Sequence, residues 1–336
     1  MFNFTNNDST ILDPQHSSFQ DKAFETARKE AFTIFETCFP TGVFLTGLWG
    51  AYQKMSAKRN VVDVLPLIPF SVLNSLDLSA APLMTAWQCM RFAAKSFDDA
   101  EDEIGETAQK INRGTAFLFA AQQILLKLGD SGLYKDRYRE VIRQFNLAGM
   151  TASEGQAEDL SVQNGDTLID PDTWMKIVFK KSGALFGWAA WSGACLAGAS
   201  NEALESWRNF GQTLGILVQI NDDFESVWGR NGSGDMDVFR VSLPYVYAFH
   251  VTPPDKKEIL LKLIEEENEI KPAKKQAVQD LLIHLGAQKF MLAAIIDQRQ
   301  KAINAIENDI GGDSSRLHYI IGFVEKICPS IIRKMI

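Results

Sequence analysis

The sequence predicts an all-α fold. Three observations carry that expectation. Apolar residues recur at spacings of three and four along most of the chain, alternating runs of strand type are rare, and the strong breakers fall between periodic stretches rather than inside them. At 336 residues, 46% hydrophobic and 23% charged, the chain has enough apolar material for one large core and too much for general disorder. A formal net charge of −8 leaves no electrostatic footprint for nucleic acid. Any anionic ligand must therefore be held locally, by metals or a few basic side chains.

Residues 1–18 read as a polar tail, without the basic flank and apolar run of a signal peptide. Residues 19–336 read as a single helical domain. Helices are expected over 19–38, 41–55, 61–76, 80–104, 111–129, 134–161, 171–199, 202–229, 239–252, 255–269, 272–285, 287–309 and 314–334. Pro66 and Pro69 break or kink the third of these, because proline lacks the N–H that a helix interior needs. The turns Asn164-Gly165-Asp166, Asn231-Gly232-Ser233-Gly234, Pro253-Pro254 and Gly311-Gly312-Asp313 separate later helices. The stretch from Gly183 to Ser200 is rich in Gly, Ala and Ser and only modestly apolar. It predicts a buried helix that lets neighbours approach closely, rather than an integral membrane segment. Cys38, Cys89, Cys195 and Cys328 are scattered without metal-site spacing, so they read as reduced core residues of a cytoplasmic protein.

Two acidic clusters carry the chemistry. Asp98, Asp99, Glu101, Asp102 and Glu103 close the apolar stretch TAWQCMRFAAKSF. On a helix Asp98 and Asp102 share a face, where like charges repel unless a cation bridges them. Carboxylate oxygens are the hard ligands that Mg²⁺ prefers, one or two per ion, with substrate phosphate filling other positions. The competing reading is a solvated acidic helix end. Asp222 and Asp223 close a second apolar stretch, GQTLGILVQI, and Ser226 shares the face of Asp222 one turn on. The two clusters lie 124 positions apart, so only the fold can bring them together. Lys180 and Lys181 stand between them in sequence, and Asp235, Asp237 and Arg240 follow. Lysines at a helix start are commonly solvated; facing the clusters, they could take phosphate charge.

These residues resemble the trans-isoprenyl diphosphate synthase (polyprenyl synthetase) superfamily. Asp98-Asp99-Ala100-Glu101-Asp102 matches its first aspartate-rich motif, and Gly155-Gln156-Ala157-Glu158-Asp159-Leu160 its GQxxDL segment. Lys181-Ser182-Gly183 matches its Lys-Thr turn, and Gln219, Asp222 and Asp223 the start of its second aspartate-rich motif. Asp235 through Pro244 resembles its later Asp…Lys…Thr-Leu-Pro stretch, with Arg240 and Ser242 in place of Lys and Thr. The matches run in the family's order over roughly residues 40–310.

The resemblance implies an isoprenoid synthase-type helical bundle around a deep apolar cavity, three Mg²⁺ ions, a prenyl diphosphate substrate and a homodimer. Asp98, Asp102 and Asp222 would then be metal ligands. Asp99, Asp223 and Ser226 would be ligands or acceptors supporting them, with Asp98, Asp99, Asp102, Asp222 and Asp223 the catalytic set. Lys181, Gln219 and Arg240 would contact the allylic diphosphate. Lys58 and Arg59 survive from the family's basic GGKRxRP segment, whose second Arg and Pro are missing, and Arg91 stands where the family often has His. These three would hold the second substrate, isopentenyl diphosphate. Ser226 in place of a third Asp also resembles the metal motif of class I terpene cyclases. The DDAEDE…KINR stretch is similar to prenyltransferases that modify a Trp of bacterial pheromone precursors. Below Asp98, the residues Ala94, Ala93, Met90 and Trp87 are expected to line the pocket, with the first bulky floor roughly 12–16 Å below the metals; the competing reading is ordinary core packing. Short-chain members of the family often carry an aromatic near Ala93 or Ala94, so by that resemblance its absence points to a geranylgeranyl-sized or longer chain, or to a cavity that folds one.

Prenyl chain elongation is therefore the leading expectation. A terpene synthase or a prenyltransferase that does without isopentenyl diphosphate is the alternative. A catalytically silent regulatory partner is the third, and the complete first motif argues against it.

Overall fold

The computed structural model describes residues 14–39, 42–74, 76–102, 106–163 apart from 131, 133 and 135, 168–229, 242–257, 260, 272–310 and 312–329. Among them there is no strand, as the periodicity predicts.

Helix α1 (Pro14–Cys38) begins five residues before its expected start and lays Ala23, Ala27 and Ala31, each 0% exposed, against the core. Alanines four apart form a flat stripe that lets a neighbour come close. Helix α2 (Val43–Ser56) buries Leu48 and Tyr52. The expected helix over 61–76 is divided: a 3₁₀ turn at Val61–Val64 is followed by Pro66 as the cap of α3 (Leu67–Leu73). The proline's missing N–H costs nothing at that position. Helix α4 (Ala81–Asp102) packs along α5 (Thr107–Asp130) and across α1. Helices α6 (Tyr138–Gln163) and α7 (Pro171–Val178) follow, the latter capped by the Asp170 carboxylate accepting from Thr173 N at 2.7 Å.

Chain geometry departs from the expected single helix over 171–199. A π-helical turn, Phe179–Gly183, interrupts it before α8 (Ala184–Ala197). Every residue of α8 from Phe186 to Leu196 is buried. A helix that is apolar all round belongs inside, and no described helix is long and apolar enough to cross a membrane. Its small residues set how close the neighbours come. A Cβ on Gly193 would lie 1.9 Å from the Pro66 carbonyl oxygen, and one on Gly211 of α9 (Asn201–Trp228) would lie 2.2 Å from that of Phe186. Arg137 closes the far end of α8 by donating to the carbonyls of Cys195 at 3.2 Å and Leu196 at 3.0 Å. Such donors suit the negative end of a helix.

The chain ends with α10 (Leu243–Val251), α11 (Pro272–His284), α12 (Ala287–Glu307) and α13 (Ser314–Ile327). Helix α12 packs along α9, while α10, α11 and the start of α12 enclose a smaller core around Tyr245, Phe249 and Leu282. Cys38 is exposed and the other three cysteines are buried thiols.

The glycine seam makes a direct prediction. Gly211→Ala should lower stability by about 1–3 kcal/mol, because backbone must move to admit the methyl group. Gly50→Ala, on a helix face with nothing within 4 Å, should be neutral or stabilising by up to about 1 kcal/mol. Thermal unfolding of the two variants tests the contrast.

Candidate active site between two acidic helix ends

Asp98 sits near the C-terminal end of α4 and Asp222 near that of α9. Among the described residues these helices make little direct contact, yet their carboxylates share an electrostatic neighbourhood. Burial pushes the Asp222 carboxyl up to about 6; the nearby charge of Arg91 opposes, and those of Asp98 and Glu225 push the same way as burial. Burial likewise raises Asp98, with Asp99 adding to it and Lys181 and Lys95 opposing. The clusters that are 124 positions apart in sequence are therefore near enough to feel each other's charge, and both carboxylates are half-buried. Asp102 is the last residue of α4; its side chain lies outside the described residues, as do Arg240, Asp235 and Asp237.

Lys181 is the cation nearest in effect to Asp98. It is carried by the π-helical turn, which widens the helix by a residue per turn and turns side chains out of the regular register. Its ammonium binds the Asp159 carboxylate of α6 at 2.6 Å. Although burial pulls its pKa down, the charges of Asp159, Asp98 and Glu101 raise it overall. Gly155 makes this placement possible. A Cβ there would stand 2.4 Å from Lys181 N, so only glycine lets α6 approach the turn. Gln156, its neighbour, donates to Glu101 at 2.6 Å and ties α6 to the end of α4. Lys180 points elsewhere, to Glu154 at 2.7 Å and Glu158 at 2.6 Å.

The remaining candidates separate. Asp99 binds Lys95 one turn back at 2.8 Å, and Lys110 of α5 caps its backbone carbonyl at 2.9 Å. Asp223 is buried and accepts from Leu243 N at 2.7 Å and Gln219 Nε2 at 3.2 Å. Burial pushes its carboxyl up to about 7, the Leu243 and Gln219 bonds opposing and Asp222 adding. The Ser226 hydroxyl donates to the Asp223 carbonyl oxygen at 2.8 Å.

The cations expected at a second phosphate have other partners. Arg91 pairs with Asp63, both largely buried, and its guanidinium lies 6.0 Å from the centre of the Trp87 ring. Arg59 reaches Asp21 of α1 at 2.5 Å on the surface, and Lys58 is exposed beside it. Asp63 was not singled out from the sequence. The signal was an acid inside the apolar run VVDVLPL, since a buried carboxylate demands a partner. Lys110 carried no comparable signal.

On α4, Ala94, Met90 and Trp87 do follow Asp98 down one face, whereas Ala93 lies about 140° round the helix. Ala94 is exposed and Ala93 is buried, so Ala93 belongs to the core flank rather than to the stripe below Asp98. Met90 reaches towards Gly149 of α6, and Trp87 is fully buried against Phe186 and Trp188, its indole N–H on the Val62 carbonyl at 2.8 Å. A ring held that firmly can serve as a floor.

The donors fit Mg²⁺. Among the described residues no three acids converge tightly enough to chelate an ion unaided. Two desolvated carboxylates on separate helices instead suit ions that take one or two carboxylates each and complete their shell with phosphate and water.

Comparison with known proteins bears on the family and the fold. A sequence model described as Polyprenyl synthetase matches residues 100–281, more than half of the chain. This chain belongs to the polyprenyl synthetase family. The geranylfarnesyl diphosphate synthase of Methanosarcina mazei is 32% identical over 130 residues, which are 38% of this chain and 41% of that protein. The chain spans 41 to 66% of the length of the first curated relatives it matches. A crystal structure of a geranylgeranyl pyrophosphate synthase superposes with a TM-score of 0.78 at 19% identity, covering 93% of this chain and 97% of that one. The synthase of Corynebacterium glutamicum, complexed with isoprenyl diphosphate and magnesium, gives 0.76 at 14% identity, covering 94% and 99%. Likenesses at this identity establish the isoprenoid synthase-type all-α fold.

Asp222 makes a pH prediction in the metal-free protein. Its carboxyl ordinarily ionises near 3.8 and, folded, near 6. The folded state thus holds the proton more tightly. This group's contribution is full below pH 3.8 and is lost as pH rises through 6. Unfolding temperatures in chelator should fall across that window. Asp222→Asn should flatten the dependence and raise stability near neutrality by up to about 2 kcal/mol.

Proposed function

We propose that this protein ionises an allylic prenyl diphosphate at the junction of α4 and α9 and extends it with isopentenyl diphosphate. The reading is supported by the shared electrostatic neighbourhood of the half-buried Asp98 and Asp222 carboxylates, with the Lys181 cation beside Asp98. Family membership and the names of the relatives support elongation. Asp98, Asp102 and Asp222 would hold Mg²⁺, which bound there supplies the charge that neutralises a departing diphosphate. Lys181 adds a cation on the same side, oriented by Asp159. Gln219 and Arg240 would contact the diphosphate, and the stripe of Ala94, Met90 and Trp87 would receive the prenyl chain away from water.

A specific observation favours a second reading, in which the acceptor is not isopentenyl diphosphate. Arg91 is engaged by buried Asp63 and Arg59 by Asp21, the cations that a second diphosphate would need. Separating a buried pair costs about 3–5 kcal/mol. Incubation with geranyl, farnesyl and geranylgeranyl diphosphates, each with and without isopentenyl diphosphate, decides between the two. A longer diphosphate formed only with the partner supports elongation. Hydrocarbon formed without it defeats elongation as the main role. Asp98→Ala should abolish turnover while leaving the unfolding temperature within a few degrees. Normal turnover by that variant would remove the assignment.

We also propose a homodimer through the outer faces of α5 and α6. Phe119 is 60%, Leu126 46%, Leu147 43% and Met150 70% exposed there, side chains whose burial a second copy would provide. Light scattering should give twice the chain mass, and Phe119→Asp combined with Met150→Asp should halve it. A monomeric parent protein excludes the pairing.

A further inference from the structure

The first acidic cluster sits at an adverse place on its own helix. Asp98, Asp99 and Glu101 fall in or beside the last turn of α4, and that turn has no basic residue of its own. The end of a helix carries the negative pole of its dipole, so acids there are disfavoured. The last four carbonyls of a helix also lack partners within it. In α4 these begin with the carbonyl of Asp99.

Lys110 supplies from another helix what α4 lacks. Helix α5 buries Lys110, Gly114, Phe117, Ala121 and Ile124, a stripe at spacings of four and three, and α5 packs along α4. Lys110 is the charged member of that stripe and is only 8% exposed. Its ammonium donates to the Asp99 carbonyl oxygen at 2.9 Å. Burying an ammonium is costly. Here the helix dipole and an otherwise unpartnered carbonyl offset the cost. One turn along α5, a Cβ on Gly114 would lie 2.6 Å from Cε1 of Phe97, so that ring packs directly on the α5 backbone. Asp98 therefore has, on either side in sequence, a residue fastened to α5. The Asp99 carboxylate itself goes to Lys95 at 2.8 Å. Because the Lys110 bond is to backbone, it braces the last turn without consuming an oxygen of Asp98.

We propose that Lys110 is a positioning residue for the metal site: it fixes the last turn of α4 through the Asp99 carbonyl and so holds the Asp98 carboxylate in place for Mg²⁺. This rests on the functional reading above, in which Asp98 is a metal ligand, and assigns the residue that sets that ligand.

The sign of one effect separates positioning from plain electrostatics. A cation beside an acidic site repels Mg²⁺, so by Coulomb's law alone its removal tightens metal binding. Removal of a positioning residue loosens it. Lys110→Met keeps the apolar stem and loses both charge and donor, whereas Lys110→Arg keeps both. Isothermal titration of the full chain with Mg²⁺ in the presence of inorganic pyrophosphate reads the affinity of the folded protein. The unfolding temperature in chelator reads any structural cost separately. The Met variant should bind Mg²⁺ about threefold to tenfold more weakly, the factor that one lost hydrogen bond converts to, with turnover at saturating Mg²⁺ within about twofold of the parent. The Arg variant should restore the affinity. Lys110→Gln, whose shorter stem stops short of Asp99 but keeps a polar end, should show the same loss as Met and stands in if the Met chain does not fold. Neutral variants that bind Mg²⁺ as tightly as the parent reduce Lys110 to a structural clamp, and variants that bind it more tightly make Lys110 an electrostatic brake; either result overturns the proposal. Asp98→Ala is the control. Parent affinity in that variant removes the metal-site reading itself, independently of Lys110.

Discussion

The arrangement depends on holding desolvated carboxylates near one another against their own repulsion. Asp98 and Asp222 gain nothing from each other, and burial penalises both. A fold tolerates such a site only if the surrounding packing is strong enough to impose it. Here that packing is the seam of α8 with α9, where Gly211 brings the backbones into direct contact, and of α8 with the start of α3, where Gly193 does the same against Pro66. The same seam carries the π-helical turn that turns Lys181 towards the acids. Stability invested in the centre of the bundle is thus spent at its mouth, and a divalent cation is what would relieve the strain.

The basic residues divide by the company they keep. Lys181 faces Asp98 and is oriented by Asp159, so its charge is directed at the junction of the two helices. Arg91, two turns back from Asp98 on the same side of α4, is bound to Asp63 in the interior, where burial pushes the Asp63 carboxyl up even with that partner beside it, and its charge also reaches Asp222. Around them Tyr52 donates to Gln88 at 2.7 Å, so the base of α4 is a polar network set in an apolar core. Such networks are costly when half satisfied and specify one arrangement when complete. Lys181 lies with the acids near the end of α4, and Arg91 holds α4 to the 3₁₀ turn beneath it.

Much was legible along the chain. Helical periodicity and breakers located the helices, and the all-buried character of α8 was readable from its Gly, Ala and Ser content. The acidic clusters were readable because like charges four apart on a helix are unfavourable without a purpose. Boundaries at Pro14 and at the π-helical turn were not, since packing settles them rather than propensity. The phase of Ala93, about 140° from Asp98, was legible from spacing alone, and only its burial needed the structure.

The residue types at each cluster, and their spacing on one helix face, are properties of local sequence, because a helix turn relates only neighbours. Which acid meets which partner is not local. That Asp222 shares the field of Asp98, that Asp223 caps a helix 20 residues on, and that Arg91 is matched by Asp63 all depend on the angles at which helices cross. Those angles are set by side-chain volume at the seams, summed over contacts far apart in the chain, and no single stretch of sequence contains them.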